Sequence, residues 1–270
     1  MNLTRILSIV LFVVAIGLAW YLYTNINSTI QFKAHVAVTE AKITEKLAVI
    51  REAEKAFLER HGHYTASWDS LTDFIENGRV PITVRKEIIT PLSYGEEKVE
   101  VRIDTVGYMS ARDRIFKKNF PLNASANGTF MGFLVSEGEY AVKGKGAYRL
   151  KQDGENKTEV YPFNESGTIV SLAKVKPGDQ VRRGQLLMNL WEYHLNPKVD
   201  IASLRKVPGS DKDFDIFVGK VKRGNSMVSV IEVRDPQPIN PERKASNEAK
   251  NRQPLGFGSK VDVSTGGNWE

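Results

Sequence analysis

The sequence predicts an α+β protein: an N-terminal transmembrane helix continues into a long amphipathic helix and is followed by one or more β-rich extracytoplasmic domains. Three observations predict it. The run Ile6–Tyr23 holds no ionisable group except tyrosine hydroxyls. Val36, Ile43, Ile50 and Phe57 then recur at heptad spacing, and beyond Val80 the apolar period drops to two.

The apolar run has eighteen residues. At about 1.5 Å of rise each, it nearly crosses a hydrocarbon core of about 30 Å. Trp20, Tyr21 and Tyr23 gather at its distal end, where amphipathic rings favour the membrane–water boundary. Ile6, Leu11, Phe12, Trp20 and Tyr23 are therefore the candidate anchor residues. A cleaved signal peptide competes with this reading, because Gly17 and Ala19 sit at small-residue spacing and Arg5 offers a charged start. Continuation of the run through Tyr23, past the length of an ordinary signal core, favours an anchor. Arg5 on the short side then places the larger C-terminal part outside the cytoplasm. The expected location is the bacterial inner membrane, crossed once, with the C-terminal domain in the periplasm.

Val36, Ile43, Leu47, Ile50 and Phe57 form the candidate packing stripe of a stalk. The companion heptad positions are Glu40, Glu54 and His61, which argues against a long self-sufficient coiled coil and for packing on the chain's own domain and on neighbours. Arg60 and His61 suit a last helical turn, and Gly62 suits its stop. Ser67 or Asp69 then opens a short helix through Ile75, closed by Asn77-Gly78, with Tyr64 and Trp68 as packing residues.

This order of apolar helix, amphipathic continuation and "IREAEKAFLERHGHYTASWDSLTDFI" resembles type IV pilins and the pseudopilins of type II secretion. The resemblance covers residues 5 to about 76 and implies a stalk carrying an α/β head. The basic leader, cleavage glycine and Phe-Thr-Leu-Ile-Glu run of those proteins do not occur in this sequence. Only the shape carries over. The same segment, together with Gly267-Asn268-Trp269-Glu270, also resembles single-pass envelope proteins of the Bacteroidota, which supports an envelope location and implies no activity.

Val99, Val101 and Ile103 alternate with charged neighbours as in a half-exposed strand. Phe214, Ile216 and Val218, then Arg223-Gly224-Asn225-Ser226, then Val228, Val230 and Val233 read as a hairpin. Between these strands, residues 108–195 read as an inserted β-rich module. Its turns fall at Asn123–Gly128, Gly144–Gly146, Asp153–Asn156 and Asn164–Gly167. Pro236, Pro238, Pro241 and Pro254 mark the remainder as an extended arm, with Leu255, Phe257 and Trp269 as candidate docking residues on a neighbouring subunit. The expected organisation is an anchor (1–24), a stalk (25–62), a pilin-like head (63–107 with 196–235), the inserted module (108–195) and the arm (236–270).

"SGTIVSLAKVKPGDQVRRGQLLMNL" resembles the hairpin of biotinyl/lipoyl-like domains, including those of membrane-fusion adaptors. Gly167, Gly178, Asp179 and Gly184 match its turn positions. The modified lysine with flanking methionine is not visible, so a cofactor-carrying role is disfavoured and no cofactor is expected.

The chain has no cysteine, which excludes a disulfide, a thiol nucleophile and a thiolate metal site. His61 and His63 lack a nearby third ligand, so no metal site is expected. The sequence contains no His-Glu-x-x-His run, nucleophile elbow, phosphate loop or dinucleotide fingerprint. No catalytic residue is assigned. The net charge of +6 is uneven: residues 1–107 hold twelve Lys/Arg against thirteen Asp/Glu, residues 108–195 thirteen against nine, and residues 196–270 thirteen against ten. No dense basic block with interleaved aromatics appears, so nucleic acid is not an expected partner. The expectation is a non-enzymatic, single-pass, membrane-anchored structural or interaction component of a bacterial envelope assembly, a secretion, motility or surface machinery. Its expected partners are other envelope proteins, copies of itself and the lipid bilayer. The alternatives are a pilin-like filament subunit and a periplasmic binding or adaptor module for an acidic glycan or partner.

Overall fold

The structure is a computed structural model that describes residues 3–91, 97–155, 157–243 and 252–270. It shows one long apolar N-terminal helix followed by antiparallel β-structure, the α+β class. The chain divides into two compact units: residues 1–51, 64–68 and 202–270 form the first, and residues 52–63 and 69–201 the second.

α1 spans Leu3–His61 without interruption. It holds no proline and only one glycine, Gly17, so nothing breaks its hydrogen-bond ladder. The helix stops where the sequence predicts. Gly62 adopts φ 76°, and its N–H donates to the Leu58 carbonyl at 2.8 Å, closing the last turn.

In the first unit, Val36, Ile43, Leu47 and Ile50 of α1 are all buried. β11 (Asp215–Arg223), β12 (Ser226–Arg234) and β13 (Gly256–Gly258) form a three-stranded sheet in that order. The β11–β12 turn is the expected one: Gly224 takes φ 58°, as a two-residue hairpin connection requires. Phe214, Val230, Ile231 and Val233 are buried with it. Lys46 of α1 donates to the carbonyls of Ser203 (2.5 Å) and Lys206 (2.9 Å), tying the helix to the segment that leads into the sheet. The heptad position Glu40 accepts from Arg243 at 2.7 Å and from Asn240 at 3.1 Å.

The second unit opens with the last turns of α1 and with α2 (Trp68–Asn77) from Asp69 onward. Phe57 meets Phe74 edge-on at 5.2 Å and stacks on His61 at 4.2 Å, so the final stripe residue packs on the short helix. β1 (Arg79–Pro91) and β2 (Glu97–Ser110) then pair as a separate two-stranded ribbon. α3 (Ala111–Phe116) is capped by Ser110, whose hydroxyl accepts from the Asp113 N–H at 3.0 Å.

The expected β-module follows as eight strands. They are β3 (Lys117–Asn123), β4 (Gly128–Phe133), β5 (Tyr140–Ala141), β6 (Gly146–Gln152), β7 (Thr158–Pro162), β8 (Gly167–Leu172), β9 (Gln180–Val181) and β10 (Leu186–Tyr193). One sheet has the order β3-β10-β8-β5 and the other β7-β6-β4-β9. Exchanging β3–β6 with β7–β10 converts one order into the other, so the module is an internal duplication with two-fold pseudosymmetry. The hydrogen bonds repeat accordingly. Gly138 N–H donates to the Ile169 carbonyl (2.9 Å) and Gly178 N–H to that of Phe130 (2.8 Å); Phe130 N–H donates to Asp179 (2.8 Å) and Ile169 N–H to Glu139 (2.9 Å).

Each half lends its short strand to the other, β5 to β8 and β9 to β4. Both sheets line one core holding Leu122, Phe130, Tyr148, Leu150, Ile169, Leu187, Met188 and Leu190. Buried backbone groups need partners, and here the partners of one half lie on the other. The two halves are therefore expected to open together. Phe130→Ala, at a fully buried position, should destabilise by about 3–5 kcal/mol in denaturant unfolding. Amide exchange should then accelerate together at Phe130, Gly138, Ile169 and Gly178; faster exchange in one half alone would show the halves to be independent.

Candidate membrane segment and interaction surfaces

α1 presents two environments along its length. From Leu7 to Phe32 the described large apolar side chains stand exposed, among them Leu11, Phe12, Trp20 and Tyr23, with Trp20 at 70 %. Among the described residues none of the helix's most apolar window is buried, and the helix is long and apolar enough to cross a membrane. Ile6 lies on the same helix, with its side chain outside the described residues. The Trp20 and Tyr23 ring centroids lie 6.5 Å apart. Leaving such a surface in water is costly at about 25 cal/mol per Å².

The hydroxyl groups just after Tyr23 are satisfied within the helix. Thr24 Oγ1 donates to the carbonyls of Trp20 (3.1 Å) and Tyr21 (3.0 Å), Ser28 Oγ to that of Asn25 (2.9 Å), and Thr29 Oγ1 to that of Asn25 (2.8 Å). Hydroxyls satisfied this way do not need water. The first charge after Arg5 is Lys33. The uncharged stretch is thus longer than the run to Tyr23 that defined the anchor from sequence. At Val36 the environment changes and the buried stripe begins.

The C-terminal residues behave differently from the expected arm. Leu255 and Phe257 are each only 2 % exposed, within the chain's own first unit. The reason is main-chain pairing: β13 adds to β12, with Phe257 opposite Val233. The turn beyond is fastened by Asn268, whose Nδ2 donates to the Pro254 carbonyl (2.7 Å) and whose Oδ1 accepts from Gly256 N–H (3.1 Å). Trp269 lies 5.5 Å from the Arg51 guanidinium, and Glu270 accepts from Arg51 at 2.5 Å. Within the chain, Leu255 and Phe257 are buried against their own sheet and Trp269 meets Arg51.

His61 and His63 lie 6.1 Å apart, beside a shallow cleft of about 440 Å³ lined by Phe57, Arg60, His61, Asp73, Phe74 and Arg79. Burial, with Arg60 and His63 adding to it, pushes the His61 imidazole below its ordinary pKa. Among the described residues no three His, Asp or Glu side chains are placed to hold a metal ion.

In the β-module, Gly178 and Gly184 take positive φ and Asp179 accepts from Lys176 N–H at 2.8 Å, the turn roles read from sequence. Gly138 and Gly144 take positive φ at the matching turns of the first half. That second set was missed. Its signal was present in Gly128-Thr129 repeating as Gly167-Thr168, and in Gly138 and Gly144 repeating as Gly178 and Gly184. The connection from β6 to β7 runs Asp153-Gly154-Glu155-Asn156-Lys157 in sequence. Where β3 and β10 pair, Lys117 Nζ sits 4.0 Å from the Trp191 ring centroid and 2.6 Å from Asp113 Oδ1.

No family model and no curated protein sequence matches the chain. Among solved structures it is similar to the crystal structure of the Kluyveromyces lactis urea carboxylase, at 20 % identity and a TM-score of 0.25, over 27 % of this chain and 6 % of that one. The chain thus spans a small fraction of that protein's length, and a likeness this slight bears on neither fold nor activity.

Asp235 provides a test of the first unit. It is buried, its carboxylate accepts from Gln237 N–H at 2.9 Å, and burial pushes its pKa above the usual carboxylate value. A raised folded-state pKa contributes stability that is present below the unfolded value, about 4, and is lost as pH rises through the folded one. Asp235→Asn should remove that loss while keeping an acceptor for Gln237. Thermal unfolding of the variant should be less pH-dependent just above pH 4 and no less stable at pH 7; an unchanged pH profile would count against this role for Asp235.

Proposed function

We propose that this protein is a non-enzymatic, single-pass, membrane-anchored component of a bacterial envelope assembly, with its β-structure on the extracytoplasmic side as an interaction head. The observation that carries the reading is the uncovered apolar helix, uncharged from Ile6 to Phe32 and continuous with a segment whose own stripe, from Val36, is buried. Bilayer is the solvent that suits the first part, and the chain itself suits the second. Anchored in this way, α1 is the root of the molecule. The pilin-like reading of the stalk supports placement of a head at the end of a long helix.

A second reading, an adaptor module, draws on the duplicated β-sandwich. The interlocked sheets and glycine turns support the resemblance of residues 166–190 to biotinyl/lipoyl-like domains and extend it to the first half. In this reading the module docks a protein or an acidic glycan through its fold and its basic surface. No attached cofactor belongs to this reading, since the matched hairpin offers no lysine flanked by methionine.

Membrane fractionation tests the anchor. The intact chain should stay with membranes through alkaline carbonate and leave them only in detergent. Leu11→Arg with Phe12→Arg should release most of it, since each arginine near the centre of a spanning helix costs about 2.5–3.5 kcal/mol on insertion scales. Recovery of the unaltered chain in the carbonate supernatant would end the proposal. Protease added outside the inner membrane should degrade the β-structure, and protection there would reverse the assigned orientation.

A further inference from the structure

The β1–β2 ribbon is a sheet of two strands, and among the described residues no third strand pairs with either edge. An isolated pair of strands is marginal in water. This one also exposes Val101, Ile103, Val106 and Tyr108, with Ile103 at 67 %. Its two edges differ chemically. β1 contains Pro81 and Pro91, which lack an N–H and blunt an edge, whereas β2 contains no proline. β2 is therefore the edge suited to main-chain pairing.

The sequence of β2 complements itself. If Lys98-Val99-Glu100-Val101-Arg102-Ile103-Asp104 is turned antiparallel about Val101, Lys98 stands opposite Asp104, Val99 opposite Ile103, Glu100 opposite Arg102, and Val101 opposite its own copy. We propose that β2 pairs with β2 of a second copy of this chain, antiparallel and centred on Val101, to make a four-stranded sheet β1-β2-β2-β1. Two-fold symmetry makes each unlike pairing occur twice. Strand alternation puts Arg102 and Asp104 on one face and Val101 and Ile103 on the other. Arg102 and Asp104 already mark the charged face, meeting along the strand at 3.0 Å.

Charge also fixes the register. Opposite residues in an antiparallel pair are of the same hydrogen-bonding class, so the centre of symmetry must fall on a residue. Centring on Glu100 sets Glu100 against itself and Lys98 against Arg102; centring on Arg102 sets Arg102 against itself and Glu100 against Asp104. Like charges directly opposite are unfavourable, so both neighbouring registers are disfavoured. Within the ribbon, Arg102 stands opposite Lys86.

Since the chain has no cysteine, single-cysteine variants of the full chain in mild detergent report the register directly. With Cu(II)-phenanthroline as oxidant, Val101→Cys should form an intermolecular disulfide, because Cα atoms directly opposite lie about 4.5–5.5 Å apart. Val99→Cys and Ile103→Cys alone should link poorly, and the two mixed should link to each other. By sedimentation, Glu100→Arg should weaken the dimer roughly tenfold or more through two opposed like-charge pairs. Adding Arg102→Glu should restore it, which separates pairing from misfolding. Better linking at position 99 or 103 than at 101, no rescue by the double variant, or a monomeric unaltered chain would each overturn the proposal. Membrane attachment does not enter any of these outcomes.

Discussion

Apolar surface must leave water, and α1 meets that constraint in two ways along one unbroken helix. Up to Ile30 its described large apolar side chains stand more than half exposed. From Val36 the chain covers the helix itself, with Ile43, Leu47 and Ile50 at almost no exposure. The change occurs within a few residues and coincides with the first charges after Arg5, at Lys33 and Glu40. Those charges differ in role: Glu40 is ion-paired with Arg243 in the first unit, so a polar residue in the stripe becomes a fastening point.

The β-module answers another version of the same constraint. Short strands such as β5 and β9 cannot form a sheet within their own half. By crossing to the other half they satisfy backbone groups that would otherwise be buried without partners. The exchange makes one core from two similar sequences, with Phe130 and Ile169 at equivalent positions. The cost is dependence, because neither half is complete without its mate. The β1–β2 ribbon lacks any such intramolecular partner among the described residues.

Much of this was legible in the sequence because it rests on periodicity and turn chemistry. The heptad positions Val36, Ile43, Ile50 and Phe57 are buried, Gly62 ends α1, and Gly224-Asn225 turns the β11–β12 hairpin. The tail was less legible. Its prolines and sparse apolar residues read as an arm, yet three residues, Gly256–Gly258, suffice to add a strand to β12. A strand so short has no periodicity to read. Gly258 adopts φ 86°, and a side chain there would strike the Ile231 carbonyl, so close approach to β12 explains the glycine. The duplication was overlooked for a different reason: its halves share glycine and turn positions while their apolar residues differ, Phe130 against Ile169 and Tyr148 against Met188.

The sequence by itself determined the elements whose causes are local: an uncharged apolar helix, a striped continuation, a two-residue hairpin and a set of glycine turns. Those follow from hydrophobic spacing and from backbone angles that few residues adopt. Only the tertiary structure decided the partners. It gave Leu255 and Phe257 to their own sheet, Glu40 to Arg243, and each short strand of the module to the opposite half. Pairing between distant segments depends on register and on which buried groups still lack a hydrogen bond, and neither is a property of any one stretch of chain.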